Sequence, residues 1–256
     1  MMMRTKRQRI LIIFSGVMAL TMGVPVSASA MHIMEGYLPP GYCVMWGLIC
    51  VPFLVVGFLS IKKTIEENRR LMLILVMITA FAFVLSALKI PSVTGSSSHP
   101  TGTGLGAILF GPWAMCIVGV IVLLFQAVLL AHGGLTTLGA NTFSMGIVGP
   151  FVSFAVYKLG LKLHAPRSVA VFLAASLGNL STYCMTSVQL AMAHPAEVGG
   201  FPAALIEFMG IFAVTQIPLA VIEGLITVVV IKGLESLAQP ELKLLGYANC
   251  GNCGRI

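Results

Sequence analysis

Apolar runs at residues 42–61, 71–90, 104–131, 142–157, 168–193 and 203–231 alternate with short polar segments. Each is judged against the ~20 apolar residues a helix needs to cross a bilayer. The runs are continuous and show no period of two, so they predict helices and not barrel strands. The first break carries Lys62, Lys63, Arg69 and Arg70. The second, Pro91–Gly104, is rich in Gly, Ser, Thr and Pro and reads as an irregular loop. A third holds Lys158, Lys162 and Arg167. The fold class is an all-α polytopic membrane protein.

A different pattern precedes these runs. Residues 1–9 are basic, Ile10 to Val24 are apolar, Pro25 breaks the run, and Ala28-Ser29-Ala30 follows. That is the layout of a secretory signal peptide with a small-residue cleavage site. The expected division is a signal peptide over 1–30, a membrane-embedded domain over 31–235 and a short cytoplasmic tail over 236–256. The mature chain then starts Met31-His32-Ile33-Met34-Glu35-Gly36, and its new α-amine faces away from the cytoplasm.

Charge placement fixes the number of crossings. Lys and Arg favour the cytoplasmic side. A single helix through 104–131 would leave Lys158, Lys162 and Arg167 outside, with Lys232, Lys243 and Arg255. A break at Gly111-Pro112 restores the parity, because proline interrupts a helix and restricts the residue before it. A short helix near 103–111 then runs inward, 112–131 returns outward and 142–157 runs inward. This gives seven transmembrane helices and a cytoplasmic C-terminus. At 1.5 Å per residue the short helix cannot span ~30 Å. The loop holding Ser96, Ser97, Ser98, His99 and Pro100 must therefore dip into the protein and line a pocket, since irregular backbone at membrane depth requires such cover.

Composition narrows the function. The chain has 256 residues, 58% hydrophobic and only 9% charged, which excludes an ordinary soluble enzyme and a disordered chain. Aspartate is absent, and the formal net charge is +7. Arg4, Lys6, Arg7 and Arg9 lie in the signal segment, and without them the excess falls to +3. The basic balance belongs to targeting and to inner loops, not to nucleic acid. Cys43, Cys50, Cys116 and Cys184 sit in apolar runs as small hydrophobes. Cys250 and Cys253 form a C-x-x-C with only two of the four ligands a zinc site needs.

The candidate chemistry is metal capture at the new N-terminus. The Met31 α-amine, the His32 amide nitrogen and His32 Nδ1 form two fused chelate rings. With the amide deprotonated they give three nitrogens in one plane, and a fourth completes a square-planar site that suits Ni(II) or Cu(II), with Co(II) a competitor. His99 is the imidazole on the loop that dips from the same side, flanked by Ser96–Ser98 as hydrogen-bonding neighbours. His132 is the next candidate but reads better as an interfacial histidine at a helix end, His164 as part of a solvated basic loop and His194 as a helix cap. Glu35 is balanced between holding His32 and lying on the surface. Glu207 and Glu223 lie within apolar sequence, where carboxylates are functional candidates, but neither is assigned to the site. No phosphate loop and no acid–base pair are present, so the chain has no catalytic residues and no prosthetic group, and any energy for transport comes from a partner or a gradient.

Three stretches carry a family resemblance: Met31-His32-Ile33-Met34-Glu35-Gly36-Tyr37-Leu38-Pro39, the Gly95–Gly104 loop with His99, and His132-Gly133-Gly134-Leu135-Thr136-Thr137-Leu138-Gly139-Ala140-Asn141-Thr142. They resemble the CbiM family and the related NikM proteins, the substrate-capture components of energy-coupling-factor cobalt and nickel transporters. The resemblance covers the mature chain and tilts the cargo toward cobalt. It implies a seven-helix protein that holds Co(II) or Ni(II) through Met31, His32 and His99 and supplies cobalamin biosynthesis. It also implies a coupling protein (CbiQ), ATPase subunits (CbiO) and a small membrane protein (CbiN) as partners. The alternative is a stand-alone secondary permease for a small solute or metal ion, which internal ion-coupling carboxylates would favour.

Overall fold

The computed structural model describes residues 32–88, 90–91 and 97–247. The expected signal peptide, Met31, Ser96 and the Cys250–Cys253 pair lie outside the described residues. Helices dominate: α1 (Pro40–Glu67), α2 (Leu71–Ala87), α3 (Thr103–Phe110), α4 (Pro112–Leu130), α5 (Leu138–Lys162), α6 (Arg167–Ala193), α7 (Gly200–Leu237) and α8 (Gln239–Leu244). Among the described residues, α1, α4, α5, α6 and α7 are long and apolar enough to cross a membrane, and α2 is a shorter apolar helix. The protein is therefore an all-α multi-pass membrane protein, as its hydrophobic pattern predicts.

The break at Gly111-Pro112 is real. Gly111 has φ +83°, which ends α3, and Pro112 starts α4, where its missing N–H costs nothing. The eight residues of α3 reach about 12 Å at 1.5 Å per residue. Every residue from Thr103 to Leu109 is buried, so α3 is an interior half-helix. Upstream, β1 (Ile90–Pro91) and β2 (Ser97–Ser98) pair antiparallel and turn the chain back into the bundle.

The predicted run 142–157 is part of a longer helix that begins at Leu138. Within it, Thr142–Val148 forms a π-helical segment. Pro150, separated from its end by Gly149, has no N–H to donate to the turn before it. No hydropathy pattern marks such a widening.

Small residues let the helices close on one another, which drives association in lipid. A Cβ on Gly119 of α4 would lie 2.7 Å from Gly146 Cα of α5, and one on Gly104 of α3 would lie 2.9 Å from Ala175 Cα of α6. The long α7 packs mainly on α6. Polar side chains line that interior: Ser176, Asn179, Thr182 and Gln189 on α6, with Gln216, Glu223 and Thr227 on α7, are buried. By contrast α1 shows apolar side chains such as Leu48, Val55 and Phe58 outward, as a lipid-facing helix does.

The residues assigned to a tail are partly built into the core. Leu242 and Tyr247 are buried against the cluster that holds Ile74, Leu75 and Tyr157. Arg167 fastens them: its guanidinium lies 4.5 Å over the Tyr247 ring, donates to the Tyr247 carbonyl at 3.1 Å and meets Glu235 at 3.4 Å.

Candidate metal centre

The segment 32–39 has almost no structure of its own and is held by side chains from elsewhere. The backbone of Ile33 is gripped on both sides. Its N–H donates to Asn141 Oδ1 at 2.8 Å, while its carbonyl accepts from Asn141 Nδ2 at 3.0 Å and from Thr137 Oγ1 at 2.6 Å. One amide side chain thus imitates a strand neighbour and fixes the peptide that follows His32. Two residues on, Glu35 accepts from the Thr136 N–H at 3.2 Å. Hydrogen bonds from Thr136 hold its carboxyl below the usual range although it is exposed. His194 Nε2 lies 2.8 Å from the Tyr37 carbonyl, so the expected helix-capping histidine also ties down this segment.

Gly133 and Gly134 make the approach possible. Gly133 has φ +78°, and a Cβ on Gly134 would stand 2.6 Å from Glu35 Cα and 2.7 Å from Glu35 N. Just before them α4 ends with Ala131 in the left-handed region at φ +46°, and the His132 N–H donates back to the Gln126 carbonyl at 3.1 Å. The left-handed Ala131 also donates to the Gln126 carbonyl and ends the helix. It turns the His132 side chain inward.

The result is a cluster of three imidazoles. The His32 and His99 ring centroids are 4.5 Å apart, and His132 lies 4.9 Å from each. All three are buried, and one ring nitrogen from each lies within 4.8 Å of the others. His32 and His99 therefore meet, as their place in the sequence predicts. His132, the next candidate in the sequence although an interfacial role is favoured there, joins them. Glu35 turns toward the 132–137 loop, and His164 sits in the turn after α5 at φ +58°.

Hydrogen bonds select which nitrogen each ring offers. Ser86 Oγ donates to the Ala82 carbonyl at 2.6 Å and accepts from Gln126 Nε2 at 2.6 Å. The Gln126 amide is thereby oriented, and its Oε1 lies 3.1 Å from His32 Nε2. A carbonyl oxygen only accepts, so His32 carries its proton on Nε2 and keeps the lone pair on Nδ1. Likewise His99 Nδ1 lies 2.9 Å from the Pro100 carbonyl, which places the proton on Nδ1 and the lone pair on Nε2. Metal-binding histidines characteristically give their other N–H to such a partner. The set fits a borderline cation that takes nitrogen donors.

The loop carrying His99 is anchored on α7. Ser98 Oγ and Thr215 Oγ1 are 2.7 Å apart, and Glu223 accepts from Thr101 and Gly102 just beyond. Glu223 thus reaches the loop that holds a candidate ligand, although sequence alone gave it no partner. Gln126 was missed altogether, and its one signal was an amide within the apolar sequence of α4.

Comparisons with known proteins place the chain beside metal transporters. The profile of the CbiM family, described as the cobalt uptake substrate-specific transmembrane region, matches residues 32–242. A protein named cobalt transport protein CbiM from Lachnoclostridium phytofermentans is 58% identical over 246 residues, covering 96% of this chain and 98% of that protein. One of the same name from Ruminiclostridium cellulolyticum is 62% identical over 221 residues, covering 86% and 89%. A crystal structure of a transition metal transporter superposes with a TM-score of 0.72 at 28% identity, covering 81% of this chain and 94% of that one.

Proposed function

Because the chain belongs to the CbiM family of cobalt-uptake transmembrane proteins, we propose that it is the metal-capturing membrane subunit of an energy-coupling-factor importer for Co(II), with Ni(II) as the alternative cargo. The observation that carries this reading is the buried meeting of His32 and His99, with hydrogen bonds that leave His32 Nδ1 and His99 Nε2 as the donors. The cargo ion is held by four nitrogens: the Met31 α-amine, the His32 amide, His32 Nδ1 and His99 Nε2. Cleavage after Ala30 creates that amine. The grip of Asn141 and Thr137 on Ile33 supports the site, because it sets the position of the preceding residue.

The chain does no chemistry beyond coordination. Binding releases protons from the amine and the amide, so affinity falls as pH falls. Energy comes from ATPase subunits of the CbiO kind acting through a coupling protein of the CbiQ kind, with a CbiN-like protein as accessory. The chain crosses the cell membrane seven times, counting the half-helix α3, with its mature N-terminus outside and its C-terminus in the cytoplasm. Supply to cobalamin biosynthesis follows from the cargo.

The test is Co(II) binding and uptake by single variants. His32→Ala and His99→Ala should each lower affinity about tenfold or more and abolish uptake, since each removes a nitrogen from a planar set. N-terminal sequencing of the membrane form should begin at Met31. Wild-type cobalt and nickel uptake by His99→Ala, or a dominant start at Met1, would refute the assignment.

A further inference from the structure

Glu223 lies midway along α7 and is completely buried. Among the described residues no Lys or Arg forms an ion pair with it. Four hydrogen-bond donors converge on it instead. Oε2 accepts from the Thr101 N–H at 2.7 Å and from Asn179 Nδ2, while Oε1 accepts from Thr101 Oγ1 at 2.8 Å and from the Gly102 N–H at 2.8 Å. A carboxylate in a dry interior persists only when its lone pairs are met in this way. Two of the donors are backbone groups at the start of α3, where the helix dipole also favours negative charge.

The clasp closes two residues from His99. Between them stands Pro100, whose ring fixes its own φ and whose carbonyl receives the His99 Nδ1–H. His99, Pro100 and Thr101 therefore form a stiff connector, and a shift of Thr101 carries the His99 ring with it. A further tie of this loop to α7, the hydroxyl pair of Ser98 and Thr215, is neutral.

We propose that Glu223 is the positioning residue that sets His99 for metal capture. The inference rests on the reading of His99 as a ligand given above. The requirement is for a carboxylate and not for its shape. Glutamine keeps the shape but replaces one acceptor oxygen with an NH2 group. Either way the amide is turned, that NH2 faces a backbone N–H that can only donate: Thr101 N on one side, Gly102 N on the other. The clasp opens, and His99 leaves register without any change to the ligands themselves.

The experiment is a double-mutant cycle on the full chain in lipid nanodiscs, read by Co(II) titration and by the ligand-field absorption of the bound ion. Glu223→Gln should weaken binding about tenfold or more, the range for residues that orient metal ligands. Its cobalt spectrum should move to that of His99→Ala, whose remaining nitrogens still hold the ion. Adding Glu223→Gln to His99→Ala should weaken binding no further, because the residue acts only through His99. If Glu223→Gln does not reach the membrane, Thr101→Val removes one donor with little change of shape and is read by the same cycle. Wild-type binding by Glu223→Gln, or an equal loss in the His99→Ala background, overturns the inference and leaves the metal site standing. Wild-type binding by His99→Ala overturns both.

Discussion

Gln126 accepts from His32 while its own NH2 group is engaged by Ser86, whose hydroxyl hydrogen points to the Ala82 carbonyl. This short chain, running from α2 to α4, decides which nitrogen of His32 is the donor. Gln126→Leu should remove that preference, let the ring turn, and lower Co(II) affinity 10–100-fold, the usual cost of losing such a partner. Ser86→Ala should cost less, since the Gln126 amide keeps its carbonyl facing His32. A titration of both purified variants against wild type checks the order, and equal affinity for Gln126→Leu and wild type would refute the relay. Sequence reached His32 and His99 because an amine next to a histidine has its own coordination chemistry, whatever the fold. It did not reach Gln126, and it weighed His132 as the next candidate but favoured an interfacial role. Their role depends on a helix face and on the turn after Leu130, and an isolated polar residue in an apolar run looks the same whether it faces lipid, a neighbour or a ligand.

The site is assembled where elements end, not within them. The cap of α4 aims His132, the start of α3 follows His99, and the first turn of α5 supplies Asn141. Breakpoints were the more legible part of the sequence. Gly111-Pro112 is visible as a stop and a start, and charge parity required a break near it. The π-helical segment left no such mark in the hydropathy pattern. Contacts between backbones should be the least forgiving to change. In Gly134→Ala the new methyl would meet Glu35 Cα and N, and no side-chain rotation relieves a clash with backbone. The expected outcome is loss of Co(II) binding by about tenfold or more, comparable to losing a residue that orients a ligand, with a nearly unchanged helical circular-dichroism spectrum. Wild-type binding by Gly134→Ala would show that the 32–39 segment can dock elsewhere.

Across the whole molecule the cations gather at one end of the bundle. Lys62, Arg69, Lys158, Arg167, Lys232 and Lys243 lie in or beside the turns that join α1 to α2 and α5 to α6, and at the end of α7 and in α8. The cluster of Arg167, Glu235 and Tyr247 seals that end. The charge rule assigns it to the cytoplasm. Lys162→Cys and Lys243→Cys, placed in a background whose native cysteines are replaced by serine, should resist an impermeant thiol reagent in intact cells and react after the membrane is opened. Strong labelling of both in intact cells would reverse the topology. Helix positions could be read from hydropathy, but the docking of residues after Leu237 could not. Leu242 and Tyr247 look like ordinary tail residues until Tyr157 and Arg167 are placed beside them.

The half-helix α3 has a consequence for what the bundle does on its own. It stands directly after the His99 loop, and from Thr103 to Leu109 it is packed on every side by α2, α4, α5, α6 and α7. Among the described residues, the space directly after the histidine loop is thus occupied by packed side chains. A hydrated divalent cation would have to shed its shell against Gly104, Leu105 and Ala107. The molecule by itself is a socket with a solid floor. On the function proposed above it would bind an ion without conducting it.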